Sequence, residues 1–240
     1  MKRFSLLLVL SLTGCGGPLL SPTQSPEYHR PLKQPSTSVV IIGDSVVNAW
    51  CAGITLPSGW VCEGSPASTP QETTAQVLSR FGNATALHPK TIVIEAGVWD
   101  MANLGLNGDN EACPAGQANP CDNVSEMVQQ GQAAGAQVVV CTIPPWGYGP
   151  MQVAWDAGYV DGDGIIQVFD IGTFNTAIMA IPGAVDMNKL LIDPNLVREA
   201  EAWPYIYNPL YTTDGVTPNA AGAQVMTTAL QAAITTAGIQ

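Results

Sequence analysis

The residue with the clearest chemical promise is Ser45, which closes the tripeptide Gly43-Asp44-Ser45 directly after the apolar run Ser38 to Ile42. A hydroxyl delivered at the end of a strand, beside the N–H groups that open a helix, is well placed to attack a carbonyl carbon. Those N–H groups favour the negative charge that develops on the carbonyl oxygen. Alone, the tripeptide is equally a tight turn whose Asp or Ser caps the next helix. A serine hydroxyl also needs a base to take its proton, and the chain has only two histidines, His29 and His88. The six cysteines are Cys15, Cys51, Cys62, Cys113, Cys121 and Cys141. Setting Cys15 aside, local pairing offers Cys51 with Cys62 and Cys113 with Cys121, although spacing leaves the connectivity open. Cys141 follows Val138-Val139-Val140 and reads as a buried thiol. No CxxC spacing with a nearby histidine suggests a metal centre, and no metal or cofactor is expected. Residues 159–170 follow a calcium-loop pattern only in part, since Tyr159 stands at the first ligand position, and they read as an acidic turn.

The elements that must hold these residues alternate. Ser38 to Ile42, Thr91 to Glu95 and Gln137 to Cys141 are continuous, β-branched apolar runs suited to strands buried on both faces. Helical patterning covers Gln71 to Phe81, Asn123 to Ala134 after an Asp122 cap, residues 170–181 and Ala220 to Ala237, and Ala184 to Met187 reads as a short further strand. Strand and helix in alternation predict a parallel sheet of about five strands covered by helices on both faces, with its site beyond the carboxyl ends of the strands.

Lys2 and Arg3 precede the apolar stretch Phe4 to Leu12, which reads as an export signal rather than a membrane span. Leu12-Thr13-Gly14-Cys15 resembles the lipobox of bacterial lipoproteins, which implies a signal over 1–14, lipidation at Cys15, and attachment to a membrane by that anchor alone. Residues 15–37 carry Pro18, Pro22, Pro26, Pro31 and Pro35 and read as a tether. The expected setting is the bacterial cell envelope or surface. Eight Lys and Arg stand against 19 Asp and Glu, a net charge of −11. That balance excludes a nucleic-acid binder, which needs clustered cations. Charged residues make up 11% of the chain, well below the roughly 25% of ordinary soluble proteins, so Thr, Ser, Asn, Gln and Gly must cover much of the surface.

Near the other end stands Asp214-Gly215-Val216-Thr217-Pro218-Asn219, before the last helical segment. Together with the opening Gly-Asp-Ser, it resembles the SGNH (GDSL-type) hydrolases over about residues 38–238. The resemblance implies a flavodoxin-like, three-layer α/β/α sandwich over 38–240 and hydrolysis of esters, commonly of lipids or acylated carbohydrates. It makes Ser45 the nucleophile, Asp214 the triad acid, and Gly64, in Cys62-Glu63-Gly64-Ser65, a donor to the oxyanion. The family's Gly-x-Asn-Asp block reads Gly97-Val98-Trp99-Asp100 here, so Trp99 stands at the asparagine position beside Asp100. An indole N–H can donate one hydrogen bond, and a pocket-wall aromatic is the alternative. This version of the block also resembles SGNH domains attached to membrane acyltransferases that modify cell-surface sugars. Thr217 holds the place of the catalytic histidine. His88, next to Pro89 and the start of a strand, falls at the opposite edge of the sheet, and His29 falls in the tether.

Two functions follow. In one, a monomeric ester hydrolase uses Asp214 as base, directly or through a water held by Thr217, on neutral acylated carbohydrates or short-chain esters. In the other, the crevice survives without the reaction and binds glycans, with Trp50, Trp60, Trp99, Trp146, Trp155 and Trp203 as stacking surface.

Overall fold

The computed structural model describes residues 37–101, 113, 119–145, 166–193, 207–236 and 238. Cys15, the tether with His29, Trp146, Trp155, Trp203 and the calcium-like stretch up to residue 165 lie outside them.

Four strands, β1 (Val39–Gly43), β2 (Trp60–Glu63), β3 (Thr91–Glu95) and β4 (Gln137–Val140), form one parallel sheet in the order β2-β1-β3-β4. β1 and β3 are buried at every position, as apolar runs without alternation require. Seven helices are described: α1 (Ser45–Ala52), α2 (Thr74–Ser79), α3 (Gly82–Ala86), α4 (Pro120–Ala133), α5 (Ile166–Met179), α6 (Met187–Leu191) and α7 (Ala220–Thr236). α1 packs on α7 and α7 on α6, while α2 packs on α4 and α4 on α5. The result is a three-layer α/β/α sandwich. Its core is the aliphatic sheet together with Trp50, Phe81, Phe174 and Tyr207.

Four elements differ from the sequence reading. β2 carries no long apolar run; it is a four-residue edge strand, half-buried throughout. The fifth strand shrinks to one residue, Val185, bridged to Cys141, because Asp186 caps α6 immediately afterwards by accepting from the Lys189 N–H at 2.9 Å. The helix expected over 71–81 begins three residues later, where Gln76 accepts the Thr73 N–H at 2.8 Å, and it stops at Ser79. α4 is capped by Asn119 rather than Asp122: the Asn119 side chain accepts from the Asp122 N–H at 2.9 Å, with Pro120 at the first helical position.

Cys51 is bonded to Cys62, joining α1 to β2, and Cys113 is bonded to Cys121 at the start of α4. Cys141 is a free, buried thiol. Trp50 is wholly buried, its Nε1 donating to Thr227 Oγ1 of α7 at 2.8 Å. It is therefore core and offers no stacking surface to a ligand.

Candidate active site

In a sheet ordered β2-β1-β3, the chain leaves the carboxyl ends of β1 and β3 in different directions, which is the switch point at which open parallel sheets form their crevice. Ser45 stands at the β1 side of this edge and Trp99 at the β3 side. β1 runs into Asp44, whose carboxylate caps α1 by accepting from the Val46 N–H at 2.9 Å. Its second oxygen accepts from the Gly97 N–H at 3.2 Å. One buried carboxylate thus staples the loop after β3 to the turn that presents Ser45. Burial, set against the hydrogen bonds from Val46, Gly97 and Val98, and helped by repulsion from Asp100, pushes the Asp44 carboxyl up to about 7.

The staple explains two glycines. A Cβ on Gly43 would collide with the Glu95 carbonyl, its register partner. Gly97 has φ +130°, a conformation that side chains rarely adopt, and a Cβ there would meet the Phe174 ring at 2.7 Å.

The half-buried Ser45 hydroxyl accepts a hydrogen bond from Trp99 Nε1 at 2.9 Å. The indole, at the position where the resemblance places an asparagine, is therefore aimed at the oxygen of the expected nucleophile. Asp100, its neighbour, turns inward. It is buried and accepts from both the N–H and the hydroxyl of Thr74, at 2.7 and 2.8 Å, so it anchors the start of α2. Burial, opposed by the two bonds from Thr74, raises its carboxyl to about 6.

Gly64 follows β2 and lies against Asn48, whose side chain occupies the space a Cβ would need. Asn48 sits one turn after Ser45 on the same side of α1, and its Nδ2 donates to the Ser65 carbonyl at 2.9 Å. Sequence reasoning missed Asn48, and it missed Arg80, which binds the same strand ends.

Asp214 and Thr217 form a closed unit on a solvent-facing loop before α7. Thr217 Oγ1 donates to Asp214 Oδ2 at 2.6 Å. Oδ1 accepts from the Thr217 N–H at 2.7 Å, the Val216 N–H at 2.9 Å and the Thr212 hydroxyl at 3.2 Å. Partial burial works to raise this carboxyl, but the bonds from Thr217, Val216 and Thr212 outweigh it and hold the group below its ordinary value. No hydrogen bond joins Ser45 to Asp214 among the described residues. His88 is exposed on the loop entering β3, with φ 47°, at the sheet edge remote from Ser45.

Behind the site, Glu95 is fully buried and neither carboxyl oxygen has a hydrogen-bond partner among the described residues; the same holds for the Tyr207 hydroxyl. Burial first, and the neighbouring Asp44 second, push Glu95 well above the usual carboxylate range. Burial likewise raises Tyr207, with Glu95 and Asp214 adding to it, and Cys141, with Glu95 adding to it.

No family profile matches the chain, and no curated protein sequence matches it either. Solved structures do match. A GDSL-like lipase from Bacteroides thetaiotaomicron superimposes with a TM-score of 0.62 at 23% identity, over 84% of this chain and 89% of that one. An acetyl xylan esterase gives 0.57 at 17% identity, over 82% and 99%. A catalytic mutant, histidine to alanine, of an acetylxylan esterase from Geobacillus stearothermophilus gives 0.54 at 13% identity, over 82% and 94%. The chain has the fold these hydrolases share.

Proposed function

We propose that this protein is a serine ester hydrolase in which Ser45 attacks the acyl carbon and the Asp214–Thr217 pair replaces a histidine as base. The observation that carries the reading is the Trp99 indole N–H on the Ser45 oxygen at 2.9 Å, at the sheet edge where the GDSL-type fold takes its substrate. As Ser45 Oγ bonds to the acyl carbon, its proton passes to the Thr217 oxygen, or to a water held there, while the Thr217 proton moves to Asp214 Oδ2. The carbonyl π electrons become an oxyanion, and the indole N–H, released from the serine oxygen, is free to donate to it together with the Gly64 N–H. Collapse expels the alcohol, which takes the proton back, and water then hydrolyses the acyl-serine by the same route.

A carboxylate held low is a weak base, so turnover is slow, but it remains ionised where an imidazole is protonated. Histidine loses its basic form below about pH 6.5, whereas an ordinary Asp keeps its charge to about pH 4. The expected substrates are neutral, acetylated carbohydrate or short-chain esters; two of the structural neighbours are acetyl xylan esterases. Arg80, which reaches the carbonyls at the ends of β1 and β2, is already bound by Glu72 and is not offered to an anionic group. Export and anchoring through Cys15 complete the proposal, and the substrate is then a polymer or ester met outside the cytoplasm.

The test is hydrolysis of p-nitrophenyl acetate and acetylated xylan across a pH series, wild type beside Ser45→Ala. Expected are activity that persists at about pH 5 and its loss in Ser45→Ala. Equal turnover by the two proteins overturns the reading. Glycan binding with no turnover at any pH would favour a degenerate binding module.

A further inference from the structure

β1 and β2 run in register as far as Ile42 and Glu63, and beyond that pair they part toward Ser45 on one side and Gly64 on the other. Arg80 fills the fork. Its Nη2 donates to the Gly43 carbonyl at 2.7 Å and its Nη1 to the Glu63 carbonyl at 3.0 Å. Those carbonyls belong to the residues immediately before Asp44-Ser45 and before Gly64-Ser65. The guanidinium is fixed from behind by Glu72: Nε lies 3.0 Å from both carboxylate oxygens, and Nη2 lies 2.6 Å from Oε2. Both side chains are largely buried, at 14% and 4% exposure. Four of the five N–H groups are thus engaged, one on Nε, one on Nη1 and two on Nη2. Two weaker ties span the same fork, Asn48 to the Ser65 carbonyl at 2.9 Å and the Ser65 N–H to the Asp44 carbonyl at 3.5 Å.

A planar guanidinium offers donors in a fixed fork, so it sets the separation of the two carbonyls it bridges; an ammonium is a point charge with rotatable donors and cannot. We infer that Arg80 is a positioning residue which, by holding the Gly43 and Glu63 carbonyls on one rigid group, fixes the Ser45 hydroxyl relative to the Gly64 N–H. This rests on the hydrolase reading above. Arg80 touches neither substrate nor reacting atoms, so its loss disturbs the geometry of attack and leaves the encounter with a small neutral ester unchanged. Misplacement by about 1 Å costs on the order of a hundredfold in rate.

The experiment measures kcat and KM for p-nitrophenyl acetate, and the rate at which an organophosphorus fluoridate labels Ser45, in wild type, Arg80→Lys and Arg80→Ala. Each protein is assayed well below its own melting temperature, with the folded fraction read by circular dichroism. Expected are a kcat lower by about ten- to a hundredfold with KM within twofold, slowed labelling, and partial recovery of Arg80→Ala by millimolar guanidinium. If neither Arg80 variant folds, Glu72→Gln decides: it keeps the cation but loosens its anchor, and a lower kcat at unchanged KM supports the assignment. A wild-type kcat per folded molecule in Arg80→Lys, or in Glu72→Gln where that variant decides, overturns it, as does loss of kcat in Arg80→Ala that guanidinium leaves uncorrected. Failure of wild type to label at Ser45 removes the hydrolase reading and this inference with it. Equal labelling of wild type and Arg80→Lys removes only the inference.

Discussion

On the proposed reading, a single indole N–H and a single threonine hydroxyl set the site apart from a serine–histidine–aspartate arrangement, and each can be tested by one substitution. Trp99→Phe keeps the ring and deletes the donor, so kcat should fall by about ten- to a thousandfold, as for loss of an oxyanion donor, with little change in melting temperature. Thr217→His restores an imidazole next to Asp214. Esterase activity should rise by about a hundredfold or more near neutral pH, the scale of a positioned general base, and the gain should fade below about pH 6 as the ring protonates. Both residues were legible in the sequence because they stand inside recognisable blocks. Arg80, Asn48 and the inward turn of Asp100 were not. Arg80 and Asn48 meet backbone carbonyls, and a carbonyl leaves no mark in the residue types. Glu95 carries a different kind of test. Its folded-state proton affinity is raised by burial and by Asp44, so the folded chain holds a proton that the unfolded chain releases from about pH 4.5 upward, and stability falls with rising pH through that window. In urea titrations, Glu95→Gln should therefore gain on wild type as pH rises above about 4.5, with the two close to equal below it. A difference that does not change with pH would refute this.

At the scale of elements, β1 and β3 could be read from the chain because strands buried at every position must be apolar throughout, and β4 could be read from its β-branched Val138-Val139-Val140 run, although it is an edge strand in which only Val139 and Val140 are buried. β2 could not, since a half-buried edge strand of four residues leaves no periodic signal. The start of α4 was misread for a similar reason. Asp122 looks like a cap, but Asn119 followed by Pro120 is the stronger signal, a side-chain acceptor ahead of a residue that lacks the orphan N–H. Asn119→Ala should lower stability by about 0.5–2 kcal/mol, measured by chemical denaturation. Gly43→Ala should be far worse and fail to give soluble folded protein, because the new methyl would fall on the Glu95 backbone, which cannot move without separating β1 from β3.

For the whole molecule, the carboxyls divide into two groups of opposite sign. Asp44 and Asp100 are raised by burial to about 7 and about 6, so their contribution is intact in acid and is lost as pH climbs from about 4 toward those values, and Glu95, raised well above its ordinary value by burial and Asp44, acts in the same direction. Asp214 is lowered, so its contribution is intact above its ordinary value and is lost only in stronger acid. Together they predict a melting temperature that peaks in mildly acidic solution, about pH 4 to 5, and declines toward neutrality. A thermal melt series across pH checks this. Trp50 and Thr227 bond across a sequence separation of 177, which imposes an order on biosynthesis. Until the ribosome has made α7, the indole of Trp50 lacks its Thr227 acceptor and the face of α1 that packs on α7 has no cover, so the element that begins at Ser45 is not yet held in place. On the hydrolase reading proposed above, activity would therefore arrive late, with the last stretch of polypeptide, and a growing chain would be harmless to esters around it.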